Sequence, residues 1–278
     1  MDIFKRRTDL NFFLLQKNEA GKKIGFVPTM GALHEGHLSL VKACAVSCDV
    51  VVVSIFVNPT QFNNATDFDL YPRMPEIDIQ LLNGFADVVY LPEVSDLFQE
   101  NEKLLSEDLI NPLNHLFEGT FRPGHYAGVI TVVHKLFDAT IPAEAFFGQK
   151  DYQQVLVISK MANQLHPHIK ITTIETQRTE SGLAMSSRNL RLSENELETA
   201  SHIYAELYFI KQVWISGVKQ IEKLEKAGIE KLNTLGIEVE YLSIVNASDL
   251  NKGDAQSPKV LIFAGYVGGV RLIDNIML

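Results

Sequence analysis

The chain has 278 residues, of which 46% are hydrophobic and 21% are charged, as in a folded globular protein rather than a disordered one. Its formal charge of −9 excludes the basic footprint of a nucleic-acid-binding protein, so an anionic ligand needs a locally positive pocket. The longest apolar stretch, residues 50–57, is too short to cross a bilayer, and we expect no membrane partner.

The first strong local pattern runs from Ile24 to His37. An apolar, strand-like run ends at Pro28, and the chain turns near Gly31. Apolar residues with helical spacing then begin at Leu38. A glycine-bearing turn between a strand and a helix presents free backbone N–H groups and the positive end of the helix. The pattern therefore predicts a phosphate site at the carboxyl edge of a sheet.

Two histidines, His34 and His37, lie in this turn three residues apart, so both imidazoles can face one anion. A zinc site is an alternative, but the helical metalloprotease pattern needs its histidines four residues apart. A pair of ordinary surface histidines is the third interpretation. Cys44 and Cys48 follow on the predicted helix; we expect buried thiols rather than a disulfide, which favours a reducing, cytoplasmic setting.

The next segments continue an alternation of strands and helices. Residues 49–57 form a continuous β-branched run, typical of a parallel strand covered on both faces. A helix near residues 77–82 then leads into a third strand at 87–91, which gives the order βαβαβ. Residues 126–141 predict a buried helix and residues 144–147 a further strand.

A second polar turn, residues 148–151, follows that strand, with Asp151 placed to cap a helix over 152–163. A strand at 169–174 closes the predicted sheet. In a parallel sheet the carboxyl ends of the strands share one edge. The turns at 28–37 and 148–151 are therefore expected to open on the same edge.

Beyond about residue 176 the pattern changes to that of a small α+β domain. A capping-box signature at 193–196 predicts a helix running to Trp214, and an amphipathic helix follows. Three strands complete the chain, and Gly268-Gly269 predicts a hairpin between the last two. The segment 178–191 is the expected hinge.

Five segments are recognisable as motifs of one enzyme family. They are residues 28–37 (PTMGALHEGH), 54–62 (SIFVNPTQF), 147–154 (FGQKDYQQ), 182–189 (GLAMSSRN) and 271–275 (RLIDN). In order and spacing they resemble the pantoate–β-alanine ligase family. The resemblance covers essentially the whole chain.

The resemblance implies an α/β fold with a Rossmann-like nucleotidyltransferase domain at residues 1–176, built on a parallel sheet, and a smaller α+β C-terminal lid at 177–278. It also implies a homodimer that uses ATP and Mg²⁺ as well as the small molecules pantoate and β-alanine. Pantoyl adenylate and pyrophosphate would form first. β-Alanine would then release pantothenate and AMP.

Taken motif by motif, the resemblance implies ATP contacts from Met30, Gly31, Ala32, Leu33, His34, Glu35, Gly36 and His37. It implies further ATP contacts from Gly148, Gln149, Lys150, Asp151, Gln177, Met185, Ser186, Ser187 and Arg188. The expected catalytic donors to phosphate charge are His34, His37, Lys150 and Arg188. Gln61 and Gln154 are expected to bind the small substrates, and Asp78 is expected to bind Mg²⁺.

The chain departs from the family pattern at three places. Position 149 is Gln where the family usually has Glu, which should matter little if backbone atoms bind the ligand there. Residues 63–66 replace a more glycine-rich loop. Ile77 stands beside Asp78, which weakens the expectation of an acidic metal site.

Two alternatives to a ligase remain open from the sequence. The chain could be a nucleotidyltransferase that stops after adenylyl transfer, as other proteins with the His-x-Gly-His motif do. It could also be a regulatory module that binds nucleotide without turnover, although the presence of His34, His37, Lys150 and Arg188 argues against this. AMP release that depends on β-alanine would favour the ligase.

Overall fold

The computed structural model of the protein describes residues 1–63, 65–100, 102–253 and 256–278. Asn64, part of the divergent 63–66 segment, lies outside the described residues. The described residues form two compact units, one made of residues 1–148 and 153–175 and the other of 149–152 and 176–278. Within these ranges, no helix is both long and apolar enough to span a membrane.

A parallel sheet forms the centre of the first unit. Its strands are β1 (Asp2–Phe4), β2 (Ile24–Thr29), β3 (Val50–Ile55), β4 (Val88–Tyr90), β5 (Glu144–Gly148) and β6 (Lys170–Ile174). Across the described sheet the spatial order is β1-β4-β3-β2-β5-β6, and every neighbouring pair is parallel. This confirms the predicted parallel α/β architecture.

Helices connect the strands of this sheet. They are α1 (Arg7–Glu19), α2 (Glu35–Ser47), α3 (Ala65–Asp69), α4 (Pro75–Leu82), α5 (Val94–Leu97), α6 (Glu118–Phe121), α7 (His125–Thr140) and α8 (Tyr152–Leu165). The first four residues of β3 are all buried, as the continuous β-branched run predicted. The strand nevertheless stops at Ile55, before the apolar run itself ends.

The strand order places a topological switch point between β2 and β5. The chain builds outward from β2 through β3 to β4, and then continues on the other side of β2 with β5 and β6. In open α/β sheets, ligands bind outside the carboxyl ends of the strands at such a point. The turn that begins after Thr29 therefore starts at the favoured ligand-binding position of the fold.

The second unit contains an antiparallel sheet covered by helices. Its elements are α9 (Glu194–Ile215), α10 (Ile221–Thr234), β7 (Glu238–Asn246), β8 (Lys259–Val267) and β9 (Val270–Met277). Over the described part of the unit the strand order is β7-β8-β9. Val267 pairs with Val270 across the hairpin, and Gly268 and Gly269 both adopt positive φ. This confirms the predicted α+β fold and hairpin.

One ionic cluster in the first unit makes stability depend on pH. Glu144 begins β5 with 2% of its side chain exposed, and it accepts hydrogen bonds from Lys23 (2.6 Å), Lys170 (2.8 Å) and Thr172 (2.6 Å). Burial by itself would raise the pKa of this carboxyl, but the hydrogen bonds from Lys170, Lys23 and Thr172 outweigh burial and lower the pKa to about 2. The folded state therefore favours the ionised carboxylate.

We expect this stabilisation to be present above about pH 4.5, the ordinary pKa of the carboxyl, and to be lost as the pH falls towards 2. Because both lysines are partly exposed, we discount the contribution to about 2 kcal/mol. Urea unfolding should show Glu144→Gln less stable than the parent at pH 7, with the gap closing as the pH is lowered towards 2. An equal gap at every pH would contradict this assignment.

Candidate active site

The turn after β2 is held by the two histidines themselves. His34 is the N-cap of α2, and its Nδ1 accepts a hydrogen bond from the backbone N–H of Gly36 at 3.1 Å. The Nδ1 of His37 accepts from the backbone N–H of His34 at 3.3 Å, which completes a reciprocal capping box. The ring centroids lie 4.1 Å apart. The structure thus brings these two predicted residues together.

These caps also fix where each imidazole carries its proton. A nitrogen that accepts an N–H hydrogen bond bears no proton, so Nδ1 is unprotonated in both rings. The ring proton of His34 and of His37 therefore lies on Nε2. Each half-buried ring can donate an Nε2–H hydrogen bond to an anion at the positive end of α2.

Asp78, which is 1% exposed in α4, anchors the backbone of the same turn. Its Oδ2 accepts from the N–H of Ala32 at 3.0 Å and its Oδ1 from the N–H of Leu33 at 2.7 Å. Gly31 and Ala32 both have positive φ, and a Cβ on Gly31 would lie 2.9 Å from Oδ2 of Asp78. The turn is therefore shaped around this carboxylate.

The predicted role of Asp78 as a Mg²⁺ ligand stays a prediction. Burial raises the pKa of this carboxyl, and the two backbone hydrogen bonds oppose that rise. Because both oxygens already accept backbone N–H groups, the side chain fits an anchor better than a ligand for a cation that keeps several waters. We therefore assign Asp78 no step in the chemistry.

Gln61 lies beside the turn in a network of buried amides. Its Nε2 is 3.1 Å from the Sδ of Met30, and its Oε1 accepts from Nδ2 of Asn58 at 3.0 Å. The backbone carbonyl of Gln61 bonds the ring Nδ1 of His125 at 2.7 Å. Asn58 and His125 therefore position Gln61, although the motifs pointed directly only to Gln61.

A close approach of two segments makes this network possible. A Cβ on Gly128, in α7, would lie 2.3 Å from the carbonyl oxygen of Thr60, so only glycine fits there. The same glycine accepts a hydrogen bond from Asn58 through its carbonyl oxygen, at 3.2 Å. The bond from Asn58 to Gly128 spans 70 residues of sequence and could not be predicted locally.

The neighbouring glutamines Gln153 and Gln154 differ in what they contact. Gln153 is buried and holds the 113–118 segment, donating to the carbonyls of Leu113 and Leu116 and accepting from the N–H of Glu118. Gln154 is half-buried, and within the described part of the chain its side chain makes no hydrogen bond. Gln154 is therefore the more accessible of the two, and its expected contact with substrate stays a prediction.

A cavity of about 270 Å³ adjoins the turn within the first unit. Its walls include Met30, Gly31 and Asp78, together with Arg73 and Glu93. Arg73 and Glu93 were not predicted from the sequence, because they belong to the irregular segments after α3 and β4.

In the second unit, β9 fixes the backbone around Lys150. The amide Nδ2 of buried Asn275 donates to the carbonyls of Gln149 at 2.9 Å and Lys150 at 3.0 Å. Its Oδ1 accepts from the side-chain amide of Gln149 at 3.2 Å. The Nζ of Lys150 lies 3.7 Å from Oδ2 of Asp151. Asn275 lies in the 271–275 motif, but no contact of this residue was predicted.

The remaining predicted ATP contacts follow in a hairpin of the same unit. The N–H of Met185 donates to the carbonyl of Gln177 at 2.9 Å, so these two predicted residues are adjacent. Arg178, next in the hairpin, forms a bidentate ion pair with buried Asp274 at 2.6 and 2.9 Å. This ion pair ties the base of the hairpin to β9.

A short 3-10 helix, Ser187–Arg191, follows the hairpin and contains Arg188. The hydroxyl of Ser186 accepts from the backbone N–H of Arg188 at 3.2 Å and caps this helix. Ser186 thus has the capping role that serines commonly have at helix starts. Its expected contact with ATP remains a prediction.

Comparisons with known proteins give a consistent result. The family model described as pantoate-beta-alanine ligase matches residues 2–277. The pantothenate synthetase of Fervidobacterium nodosum is 42% identical over 260 residues, which cover 93% of this chain and 92% of that protein. The pantothenate synthetase of Aquifex aeolicus is 40% identical over 278 residues, covering 98% and 97%.

Solved structures agree with the sequence comparisons. The pantothenate synthetase of Thermus thermophilus superposes with a TM-score of 0.91 at 37% identity, covering 99% of both chains. The pantoate-beta-alanine ligase of Francisella tularensis gives a TM-score of 0.81 at 37% identity, covering 100% of this chain and 97% of that one. The latter structure is described as a complex with beta-gamma ATP and beta-alanine.

Proposed function

This chain belongs to the pantoate-beta-alanine ligase family, and on that premise we propose that it joins pantoate to β-alanine through a pantoyl-adenylate intermediate. It is an enzyme that forms a carbon–nitrogen bond with ATP as the activating substrate. The ATP and β-alanine bound to the Francisella tularensis relative support this choice of substrates.

Adenylation solves a chemical problem that the substrates pose. A carboxylate does not react with an amine at neutral pH, because oxide would have to leave. Attack of the pantoate carboxylate on the α-phosphorus of ATP breaks the bond to pyrophosphate and forms a mixed anhydride. The amine of β-alanine then attacks the acyl carbon, AMP leaves, and the amine loses a proton.

The observation that carries the proposal is the histidine-capped turn at the sheet's switch point. In the first step negative charge develops on the α-phosphate and the departing pyrophosphate, so donors must already be aimed there. The capping bonds to Nδ1 prepare Nε2–H of His34 and His37 as such donors. We assign both residues to the phosphates and propose that residues 30–36 line the ATP site.

We propose further phosphate donors from the second unit, namely Lys150 and Arg188, with Gly148 to Asp151, Gln177 and Met185 to Ser187 as nucleotide contacts. Family resemblance supports these roles, and the bonds from Asn275 support a fixed position for the Lys150 backbone. We also propose that residues 177–278 act as a lid domain and residues 1–176 bind ATP and pantoate.

Mg²⁺, a homodimer and a cytoplasmic location complete the proposal. Mg²⁺ binds ATP phosphates while keeping several waters, so its main ligands would be substrate oxygens rather than protein side chains. The free thiols of Cys44 and Cys48 are consistent with a reducing compartment. The homodimer rests on family resemblance.

Product analysis tests the proposed function. The protein is incubated with ATP, Mg²⁺, pantoate and β-alanine, and pantothenate and AMP are measured. We expect equal amounts of both products and no pantothenate when β-alanine is omitted. Adenylyl transfer without amide formation would favour the nucleotidyltransferase alternative, and ATP binding without turnover would favour a regulatory module.

Gln61→Ala is expected to raise the KM for pantoate by about 5- to 150-fold, because losing one buried hydrogen-bond partner costs about 1–3 kcal/mol. ATP affinity should change little, since the Gln61 amide is assigned to the small substrate. Steady-state kinetics with each substrate varied in turn would measure both effects. Gln154→Ala should raise the KM for pantoate in the same way. Equal weakening of ATP binding in Gln61→Ala would contradict the assignment of Gln61 to the pantoate pocket.

A further inference from the structure

A cluster of metal-ligating side chains lies in the first unit, outside the proposed active site. His134 and Asp138 are one turn apart on α7, and His166 directly follows α8. Nδ1 of His134 lies 2.7 Å from Nε2 of His166, and Nε2 of His134 lies 3.7 Å from Oδ2 of Asp138. One ligand atom from each residue can be chosen so that all three lie within 4.8 Å of one another.

The cluster is remote from the Gln61 network. His125 begins α7 and contacts Gln61, whereas His134 is nine residues further along the helix. At the rise of an α-helix this separation is about 14 Å along the axis. The mechanism proposed above therefore gives these three side chains no role.

We propose that His134, Asp138 and His166 form a binding site for one divalent transition-metal ion, with Zn²⁺, Co²⁺ or Ni²⁺ as the fitting class. Two imidazoles and one carboxylate suit these ions, whereas Mg²⁺ prefers ligands that are all oxygen. The side chains of His134 and Asp138 are 30% and 39% exposed, which leaves an entry path and room for water ligands.

The charges and the geometry of the cluster determine what must change for a metal ion to bind. Binding requires neutral imidazoles at His134 and His166, because only an unprotonated ring nitrogen ligates a metal. Two nitrogens on one tetrahedral zinc are about 3.3 Å apart, so the 2.7 Å hydrogen-bonded pair must open slightly. Nη2 of Arg7, 3.9 Å from Oδ2 of Asp138, competes for the carboxylate.

A bound ion would link α7 to the segment between α8 and β6. His166 already packs edge-on against the ring of Phe137, with centroids 5.3 Å apart. Binding to the folded state alone stabilises that state by mass action. The site would therefore act on the stability of the first unit rather than on phosphate chemistry.

Titration of the tag-free, metal-stripped protein with Co²⁺ tests this site. We expect one equivalent to bind with visible d–d absorption, and Zn²⁺ to displace it and raise the unfolding temperature. His134→Ala and Asp138→Asn should each weaken Co²⁺ binding at least about 10-fold. Asp138→Asn preserves the size of a half-exposed side chain, so a folding defect would not account for its loss.

His168→Ala is the matched control. The His168 ring centroid lies 6.2 Å from that of His166, and the exposed side chain is not among the three ligands. Co²⁺ affinity should survive in this variant, and Arg7→Gln should tighten binding. Absence of stoichiometric Co²⁺ binding, or binding unchanged in both His134→Ala and Asp138→Asn, would overturn the proposal.

Discussion

Replacing His37 by Ala is expected to lower kcat by about 10²- to 10³-fold, with a much smaller change in the KM for pantoate. In the proposed mechanism the imidazole acts on charge that develops only in the transition state, and one preorganised donor is worth about 3–4 kcal/mol of barrier. Steady-state kinetics of adenylate formation would measure the loss. His34→Ala should give a similar result, since both rings present Nε2–H from the same capping box.

Each histidine also caps α2, and a matched pair of variants separates the two roles. His34→Ala removes both the N-cap acceptor and the ring donor, and loss of the cap should cost about 1 kcal/mol of stability. His34→Asn keeps an N-cap acceptor but cannot place a donor where the imidazole does. Asn should therefore restore stability without restoring kcat. Near-full turnover in His34→Asn would indicate that the motif has only a structural role, and it would contradict the assignment of His34 as a phosphate donor.

Asp78→Ala is expected to destabilise the protein by about 3 kcal/mol and to lower kcat as well. The substitution leaves the buried N–H groups of Ala32 and Leu33 without their acceptors, and each unsatisfied group costs about 1–3 kcal/mol. The turn that carries the histidines would then relax. Urea unfolding in metal-free buffer, together with steady-state kinetics, would measure both effects.

Asp78→Asn distinguishes an anchor from a metal ligand. An anchor loses stability even in metal-free buffer, because the amide replaces one acceptor by a donor facing a backbone N–H. A ligand would instead keep its stability there and require more Mg²⁺ for activity. Glu76→Gln, an exposed carboxylate in the same helical turn, is the control and should change neither quantity.

Local patterns predicted the central turn and most of the strands, but they did not predict the helices α1, α3, α5 and α6. The residues around Gly31 indicate the change from strand to helix, and Gly268 and Gly269 indicate the hairpin. The three-residue strand β1 was missed because its residues show no periodicity that differs from a loop. Strand β3 was predicted to be too long, since apolar character continues beyond the hydrogen-bonded pairs.

The contacts that position the site were not predictable in this way. Asp78 lies 46 residues beyond Ala32, and Asn275 lies 125 residues beyond Lys150. Such pairs meet only because the fold brings their segments together, and a single sequence contains no local sign of them. The motifs therefore pointed to the proposed ligand-binding residues, but not to the contacts that hold those residues in place.

The proposed two-step reaction through an adenylate can be tested by rapid-quench measurement of pyrophosphate in the absence of β-alanine. The first step needs only pantoate, ATP and Mg²⁺, and exclusion of water should preserve the mixed anhydride. We expect a burst of about one pyrophosphate per active site, followed by slow release, and a weaker burst in Arg188→Ala. Pyrophosphate that appears only after β-alanine is added would indicate a concerted reaction and contradict the two-step mechanism.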